Sequence, residues 1–170
     1  MRITKESFTT TYDKYKNTVY SVIFNYVRNA EDSSDLTQDA FIKLLETGID
    51  YESEEHLKAW LIRISINLSK NHLKKATKFS NEEVPELPYY DEHNEESDIL
   101  SAVMSLPEKY RVPLHLFYYE DYTNKQIGDI LGCPESTIKI RIKRGREKLK
   151  KILEKRGYND GLQDQLQIEC

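Results

Sequence analysis

A run of cations near the C-terminal end of the chain is the feature with the most evident chemistry. Between Lys139 and Lys151 there are eight basic residues and one acid, Glu147. The basic residues are Lys139, Arg141, Lys143, Arg144, Arg146, Lys148, Lys150 and Lys151. Cations spaced along a helix suit nucleic acid, because they displace condensed counterions from phosphates and because a helix fits the major groove of B-form DNA. The alternative is a solvated amphipathic helix, which is what most charge runs are.

The segment that carries this run has the pattern of a helix-turn-helix. Thr123 or Asn124 is suited to cap a first helix, because a short side-chain oxygen accepts an otherwise unpaired N–H of the first turn. Gly132 tolerates the left-handed backbone that ends a helix, and Pro134 suits the first turn of the next one. Gly128 leaves room for a close crossing of the two helices. The predicted buried face of the second helix consists of Ile138, Ile142, Gly145, Leu149 and Ile152. This context favours DNA binding over the solvated-helix alternative.

Ile140 is an apolar residue among these cations. It lies two residues from Ile138 and should therefore face away from the core. An apolar side chain on a DNA-facing surface can pack on a thymine methyl group. It can equally be a neutral surface isoleucine, and the sequence does not decide between the two.

Charge is distributed unevenly over the 170 residues, whose formal net charge is −4. Residues 56–81 contain six Lys and Arg and no acid, whereas residues 82–98 contain eight acids and no Lys or Arg. The acidic stretch has two prolines and little apolar periodicity, so it is predicted to be a flexible linker. The predicted domains are therefore residues 1–80 and 99–156, with a linker at 81–98 and a tail of unassigned role at 157–170.

Apolar periodicity predicts helices on both sides of the linker, so we expect an all-α fold. Before the linker a long first helix carries Phe8, Tyr12, Tyr15, Val19, Ile23 and Tyr26. A second helix runs from about Ala30 to Glu46, and Ser53 caps a third. Trp60 shares the apolar register of that third helix, which favours core packing over base stacking. These three helices are predicted to form a bundle.

After the linker, two more helices are expected before the helix-turn-helix. A short one spans Ile99 to Leu106, and the next starts at Pro107. Pro113 lies too deep in that helix to start it and is predicted to kink it near Lys109. The fold class is thus two helical domains joined by an acidic linker, the C-terminal one a helix-turn-helix.

Several function classes find no support in the sequence. The six glycines form no nucleotide-binding loop, and the four histidines show no metal-ligand spacing. The two cysteines, Cys133 and Cys170, offer neither a disulfide framework nor a metal site. No apolar run approaches membrane-spanning length, and no secretory signal is evident. We therefore expect a cytoplasmic protein without catalytic residues, metal or cofactor.

Two sets of motifs resemble the extracytoplasmic-function sigma factors, which are small members of the sigma-70 family. The segment from Asp35 to Phe41 with Lys43-Leu44, then Lys58 to Leu61 with Arg63-Ile64 and Asn67, resembles their second region. Leu106-Pro107-Glu108 with Tyr110-Arg111, then Leu116 to Glu120 and the helix-turn-helix, resemble their fourth region. The order and spacing extend over roughly residues 7 to 151.

The resemblance implies three sets of site residues. The upstream, minus-thirty-five promoter element would be read by Ser136, Thr137, Lys139, Ile140, Arg141, Lys143, Arg144, Arg146 and Lys148. The minus-ten element would be bound and melted by Asp50, Tyr51, Arg63, Asn67, Lys70, Asn71, His72, Lys74 and Lys75, with the loop at 48–51 as the pocket for an extruded base. Core RNA polymerase would be contacted by Asp32, Asp35, Gln38 and Asp39. Acids at these positions are also ordinary helix-start chemistry, and for Asp32 that alternative competes.

The implied function is a polymerase initiation subunit that binds core RNA polymerase and promoter DNA and is monomeric when free. The family also implies an anti-sigma factor, often membrane-bound, as an inhibitory partner. The chain departs from the family where Ile140 replaces a frequent serine, and where Lys74 and Lys75 follow Asn71 in place of a frequent aspartate and arginines. Both departures lie where bases are read, so the promoter sequence is not predictable. The alternative is an autonomous repressor or activator, which should dimerise and bind a palindrome unaided.

Overall fold

The computed structural model describes residues 1–79 and 95–157. Residues 80–94, which hold most of the predicted linker, and residues 158–170, which hold nearly all of the predicted tail, lie outside these ranges. The chain divides into two compact units, Met1–Glu86 and Leu87–Cys170. Within the described ranges there are seven helices, three in the first unit and four in the second. The all-α prediction is confirmed, and none of these helices is long and apolar enough to cross a membrane.

The first unit is a bundle of three helices that each contact the other two. They are α1 (Lys5–Val27), α2 (Ala30–Thr47) and α3 (Glu54–Phe79). Side-chain caps set their starts, as at Ser53, whose hydroxyl accepts the N–H of His56 at 3.1 Å. The core consists of Tyr15, Val19, Ile23, Leu36, Ala40, Phe41, Leu44, Tyr51, Leu57 and Leu61. Trp60 packs against it, which confirms the prediction of core packing.

The second unit contains α4 (Glu95–Met104), α5 (Glu108–Tyr118), α6 (Asn124–Leu131) and α7 (Glu135–Lys155). Helix α7 contacts all three of the others. Helix α4 begins inside the stretch predicted to be linker, four residues before the expected Ile99. Helix α5 continues through Pro113, which has no N–H to donate to the carbonyl of Lys109.

A buried arginine joins α4 to α5. Arg111 is 2% exposed, and its Nη1 donates to the carbonyl oxygens of Met104 at 3.2 Å and Leu106 at 2.7 Å. These carbonyls lie at the end of α4 and in the turn after it, where helical partners run out. Nη1 of Arg111 therefore supplies donors that the end of the helix lacks.

The turn between α6 and α7 follows the predicted chemistry. Thr123 caps α6 in a reciprocal arrangement with Gln126, and Gly132 ends it with a φ of 69°. A β-carbon on Gly128 would lie 2.5 Å from the carbonyl oxygen of Cys133. Gly128 is thus required by the backbone of the turn itself, whereas the sequence suggested the crossing of the second helix.

Candidate nucleic-acid interface

Helix α7 separates an apolar face from an outward one. Ile138, Ile142, Gly145 and Leu149 are buried as predicted. Ile152 is half-buried, and Leu153, at 2% exposure, takes the deeper place beside it. The predicted DNA-binding residues that are exposed are Ser136, Lys139, Ile140, Lys143, Arg144 and Lys148. Most of the predicted set therefore lies on the surface of one helix.

Three residues of the predicted DNA-binding set contact neighbouring side chains. Lys139 pairs with Glu135 one turn earlier, with 3.3 Å between Nζ and Oε1. Arg141 is half-buried and donates from Nη1 to the sulfur of Cys133, 3.4 Å away. The ammonium of Lys148 lies 5.7 Å from the centre of the Tyr110 ring. Their contacts leave Ser136, Ile140, Lys143 and Arg144 as the centre of the outward face.

Arg146 is directed away from that centre. It is half-buried and donates a hydrogen bond to the hydroxyl of Tyr118. Its guanidinium carbon lies 5.5 Å from the ring centre of Phe117 and 5.3 Å from that of Tyr118. It also lines a pocket of about 230 Å³ in the second unit, together with Ile99, Val103, Leu114, His115, Tyr118, Tyr119 and Leu149. The Nε donor of Arg146 is therefore engaged on α5, and a DNA contact by Arg146 stays a prediction.

A second polar face lies along α3 in the first unit. Arg63, Asn67, Lys70, Asn71 and Lys74 are exposed and recur at steps of three and four, which places them on one side of the helix. Lys75, beside them, is also exposed. The opposite side is buried through Leu57, Leu61, Ile62, Ser65 and Ser69. The two buried serines return their hydroxyls to carbonyls one turn earlier, so the buried side carries no unpaired hydroxyl there.

His72 does not belong to this face. It is half-buried, and its Nε2 lies 3.3 Å from Oδ2 of Asp32 on α2. The prediction grouped His72 with the DNA-binding residues because of its neighbours in sequence. One step along a helix turns a side chain by about 100°, which here directs it towards α2.

The loop between α2 and α3 is joined to the N-terminal residues. The amino group of Met1 donates to Oδ1 of Asp50 at 2.8 Å and to the carbonyl of Tyr51 at 2.7 Å. The first of these bonds lowers the pKa of the Asp50 carboxyl below its ordinary value. Asp50 is exposed as expected, but Tyr51 is 6% exposed and belongs to the core. A contact of Tyr51 with an extruded base stays a prediction, and in this structure 6% of the residue is accessible for it.

A third surface lies on α2. Asp35, Gln38 and Asp39 are exposed as predicted, whereas Asp32 is half-buried beside His72. Ile42 and Leu45, which the sequence reasoning missed, are 50% and 48% exposed. Both fall outside the buried stripe of Leu36, Ala40 and Leu44, and that misfit of register is the signal that identifies them. The surface, which we call the α2 face, is thus acidic at one end and apolar at the other.

Comparisons with known proteins agree with both units. The model of Sigma-70 region 2 matches residues 11–79, and that of Sigma-70, region 4 matches residues 96–149. The ECF RNA polymerase sigma factor SigW of Bacillus subtilis is 27% identical over 168 residues, covering 88% of this chain and 90% of that protein. The RNA polymerase sigma-H factor of Pseudomonas aeruginosa is 27% identical over 160 residues, with 83% of each chain covered.

Solved structures share the fold. The sigma factor RpoE of Bartonella quintana, in complex with the anti-sigma factor NepR, superposes with a TM-score of 0.71 at 22% identity, over 88% of this chain and 98% of that one. CnrH, in complex with the cytosolic domain of CnrY, gives 0.65 at 18% identity, over 89% and 90%. With both regions matched in their order along one chain, this protein belongs to the sigma-70 family, in its extracytoplasmic-function class.

Proposed function

We propose that the chain directs core RNA polymerase to promoters by binding one promoter element with each unit. The observation that carries this proposal is the pair of exposed cationic helix faces, one on α3 and one on α7, in separate units. An autonomous repressor needs one such face and a dimer partner. Two faces of different chemistry in one chain suit two DNA segments held at a fixed distance by a third molecule, the polymerase.

The face on α7 suits duplex DNA. Lys143 and Arg144 are exposed cations that can reach phosphates on either side of a groove, and Ser136 can accept or donate at a base edge. In this role α7 enters the major groove of the minus-thirty-five element with its outward centre against the bases. Arg146 contributes indirectly to this interface, because its contacts with Phe117 and Tyr118 join α7 to α5.

The face on α3 suits a separated strand. Unstacked bases need cations for the backbone and planar or amide groups for their faces and edges. Arg63, Lys70 and Lys74 supply the cations, and Asn67 and Asn71 supply amides in the same row. We assign this row to the non-template strand of the minus-ten element, with Asp50 at the adjoining loop.

The α2 face is the proposed contact with core polymerase. Carboxylates at Asp35 and Asp39 can pair with cations of a partner, while Ile42 and Leu45 offer apolar area beside them. Because the RpoE and CnrH structures are complexes with partner proteins, we also propose that an anti-sigma factor holds this chain inactive. The free chain is then a monomer, and it acts in the cytoplasm, where polymerase is found.

Run-off transcription with purified core polymerase tests the proposal, on the promoter upstream of the gene for this chain. We expect a discrete transcript that requires both proteins and is lost with Arg144→Ala. Lys155→Ala, which removes an exposed cation at the far end of the same helix, is the matched control and should keep the transcript. If the protein instead fails to co-purify with core polymerase and shifts DNA alone as a dimer, it functions as a repressor.

A further inference from the structure

Ile140 is an exposed apolar side chain at the centre of a polar surface. It is 50% exposed. In the described part of the chain it is the one large hydrophobic residue of α7 that is exposed. Its sequence neighbours Lys139 and Arg141 are held to Glu135 and Cys133 respectively. Both neighbouring side chains are thus engaged in other contacts, and the exposed side chain of Ile140 can contact a partner.

The residues one turn away define what that partner is. Ser136 precedes Ile140 by four residues and Arg144 follows it by four, so all three lie in one row along the outward face. Lys143 and Arg144 can hold phosphates and so fix the depth of the helix in the groove. Ile140 is then the side chain of the row that meets the floor of the groove at its centre.

An isoleucine can neither donate nor accept a hydrogen bond, which restricts what it can recognise. In the major groove, guanine and adenine present donors or acceptors and cytosine presents an amino donor beside a small C5–H, whereas thymine presents an acceptor and an apolar C5-methyl group. Packing Ile140 against a polar edge would leave that edge without its water. Packing it on the methyl removes apolar surface of both from water.

We propose that Ile140 is a specificity-determining residue that selects a thymine in the upstream promoter element through its C5-methyl group. The proposal rests on the proposed function, since it takes α7 to be the helix that enters the groove. Burial of one methyl group corresponds to about fourfold in affinity. The preference for thymine over the other bases should be larger, because their polar edges lose hydration.

The test uses holoenzyme assembled from core polymerase and the full chain. Upstream elements are first selected from a library of random duplexes by the parent protein and by Ile140→Ala. We expect a thymine at one position in the parent selection and a relaxed preference at that position with Ile140→Ala. Each thymine of the selected element is then replaced in turn by deoxyuridine, which lacks the methyl group. Because the synthetic duplexes carry no methylated cytosine, any effect reports thymine.

At one position deoxyuridine should weaken binding by the parent holoenzyme about fourfold and leave binding by Ile140→Ala unchanged. Arg144→Ala is the control, since it should weaken binding at every sequence while keeping the deoxyuridine penalty. If no position responds to deoxyuridine, or if the penalty persists in Ile140→Ala, the proposal is overturned while the proposed function stands. A holoenzyme that selects no upstream element would overturn the proposed function, and this proposal with it.

Discussion

Arg146 of α7 donates a hydrogen bond to the hydroxyl of Tyr118 at the end of α5, and its guanidinium carbon lies 5.3 Å from the centre of that ring. The cation and the aromatic residue are both half-buried, so part of their hydration is already removed. This contact, which lies beside the outward face of α7, is one of those that join α7 to α5.

Arg146 and Arg144 should separate a positioning role from a DNA contact. Arg146→Ala should lower the free energy of unfolding by about 1–2 kcal/mol, because it removes a hydrogen bond and two cation–π contacts. Arg144→Ala, at an exposed position, should leave stability within about 0.5 kcal/mol. Urea denaturation measures both.

The salt dependence of promoter binding distinguishes the same two residues. Arg144→Ala should reduce the slope of log affinity against log salt by about one, as expected for one lost phosphate contact. Arg146→Ala should weaken binding with the slope kept. A reduced slope in Arg146→Ala without loss of stability would show that Arg146 binds a phosphate after all.

Reversing a charge on the α2 face, or introducing one at its apolar end, should weaken polymerase binding. We expect Asp35→Lys and Ile42→Glu each to reduce affinity for core polymerase about tenfold or more, since one removes a charge partner and the other buries a carboxylate among apolar groups. Thr10→Lys places the same cation on an exposed position of α1 and serves as the control. Fluorescence competition for core polymerase gives the affinities, and equal losses in all three variants would remove the α2 face as the contact.

His115 should make stability depend on pH. It is 8% exposed, and burial lowers its pKa from 6.5 to about 4. Glu120 lies 3.8 Å from its Nε2, beyond hydrogen-bond range. The unfolded chain binds this proton more readily than the folded one, so stability is lost as pH falls through the range between the two pKa values.

The expected loss is about 2 kcal/mol between about pH 7 and about pH 5. Chemical denaturation of the full chain at intermediate pH values measures it, and His115→Gln should flatten the profile. His56→Gln, an exposed histidine of the first unit, controls for the loss of one imidazole. A His115→Gln profile as steep as that of the parent would assign the slope to other groups.

Arg111 should be far more costly to replace than its neighbour Lys109. Arg111→Met leaves the carbonyls of Met104 and Leu106 without their donor, and we expect a loss of about 3 kcal/mol in the free energy of unfolding. Lys109→Met, on the exposed side of the same helix, should change it by about 0.5 kcal/mol or less. Urea titration decides, and similar small effects in both variants would show that the end of α4 is satisfied without Arg111.

Local signals made much of the fold predictable. Each of three features depends only on residues close to it in sequence, so the sequence predicts it directly. They are the Thr123 cap, the end of α6 at Gly132 and the buried stripe of α7. The same holds for the Ser53 cap of α3. Helix α4 starts at Glu95, earlier than the predicted Ile99. The acidic stretch with two prolines resembles a linker, although its last residues form the first turn of the helix.

Sequence patterns do not show the direction of side chains whose partners lie in distant parts of the chain. Tyr51 is drawn into the core beside a backbone pairing of Arg2 with Asp50, which no local pattern reveals. Arg146 turns towards Tyr118, 28 residues earlier. His72 turns towards Asp32 on another helix. Sequence periodicity predicts which polar residues share one face of a helix, but it does not predict which of them contacts a side chain elsewhere in its own unit.

The division of α7 into two faces has a consequence for how such a protein diverges. Gly145, whose added β-carbon would lie 2.9 Å from Leu114, belongs to the packed side and cannot vary freely. Ser136 and Ile140 are exposed, and substitutions at exposed positions typically change stability by less than about 0.5 kcal/mol. With α7 in its proposed role, two copies that arise by gene duplication can therefore acquire different promoters through one or two changes at these positions while keeping the same scaffold and the same polymerase.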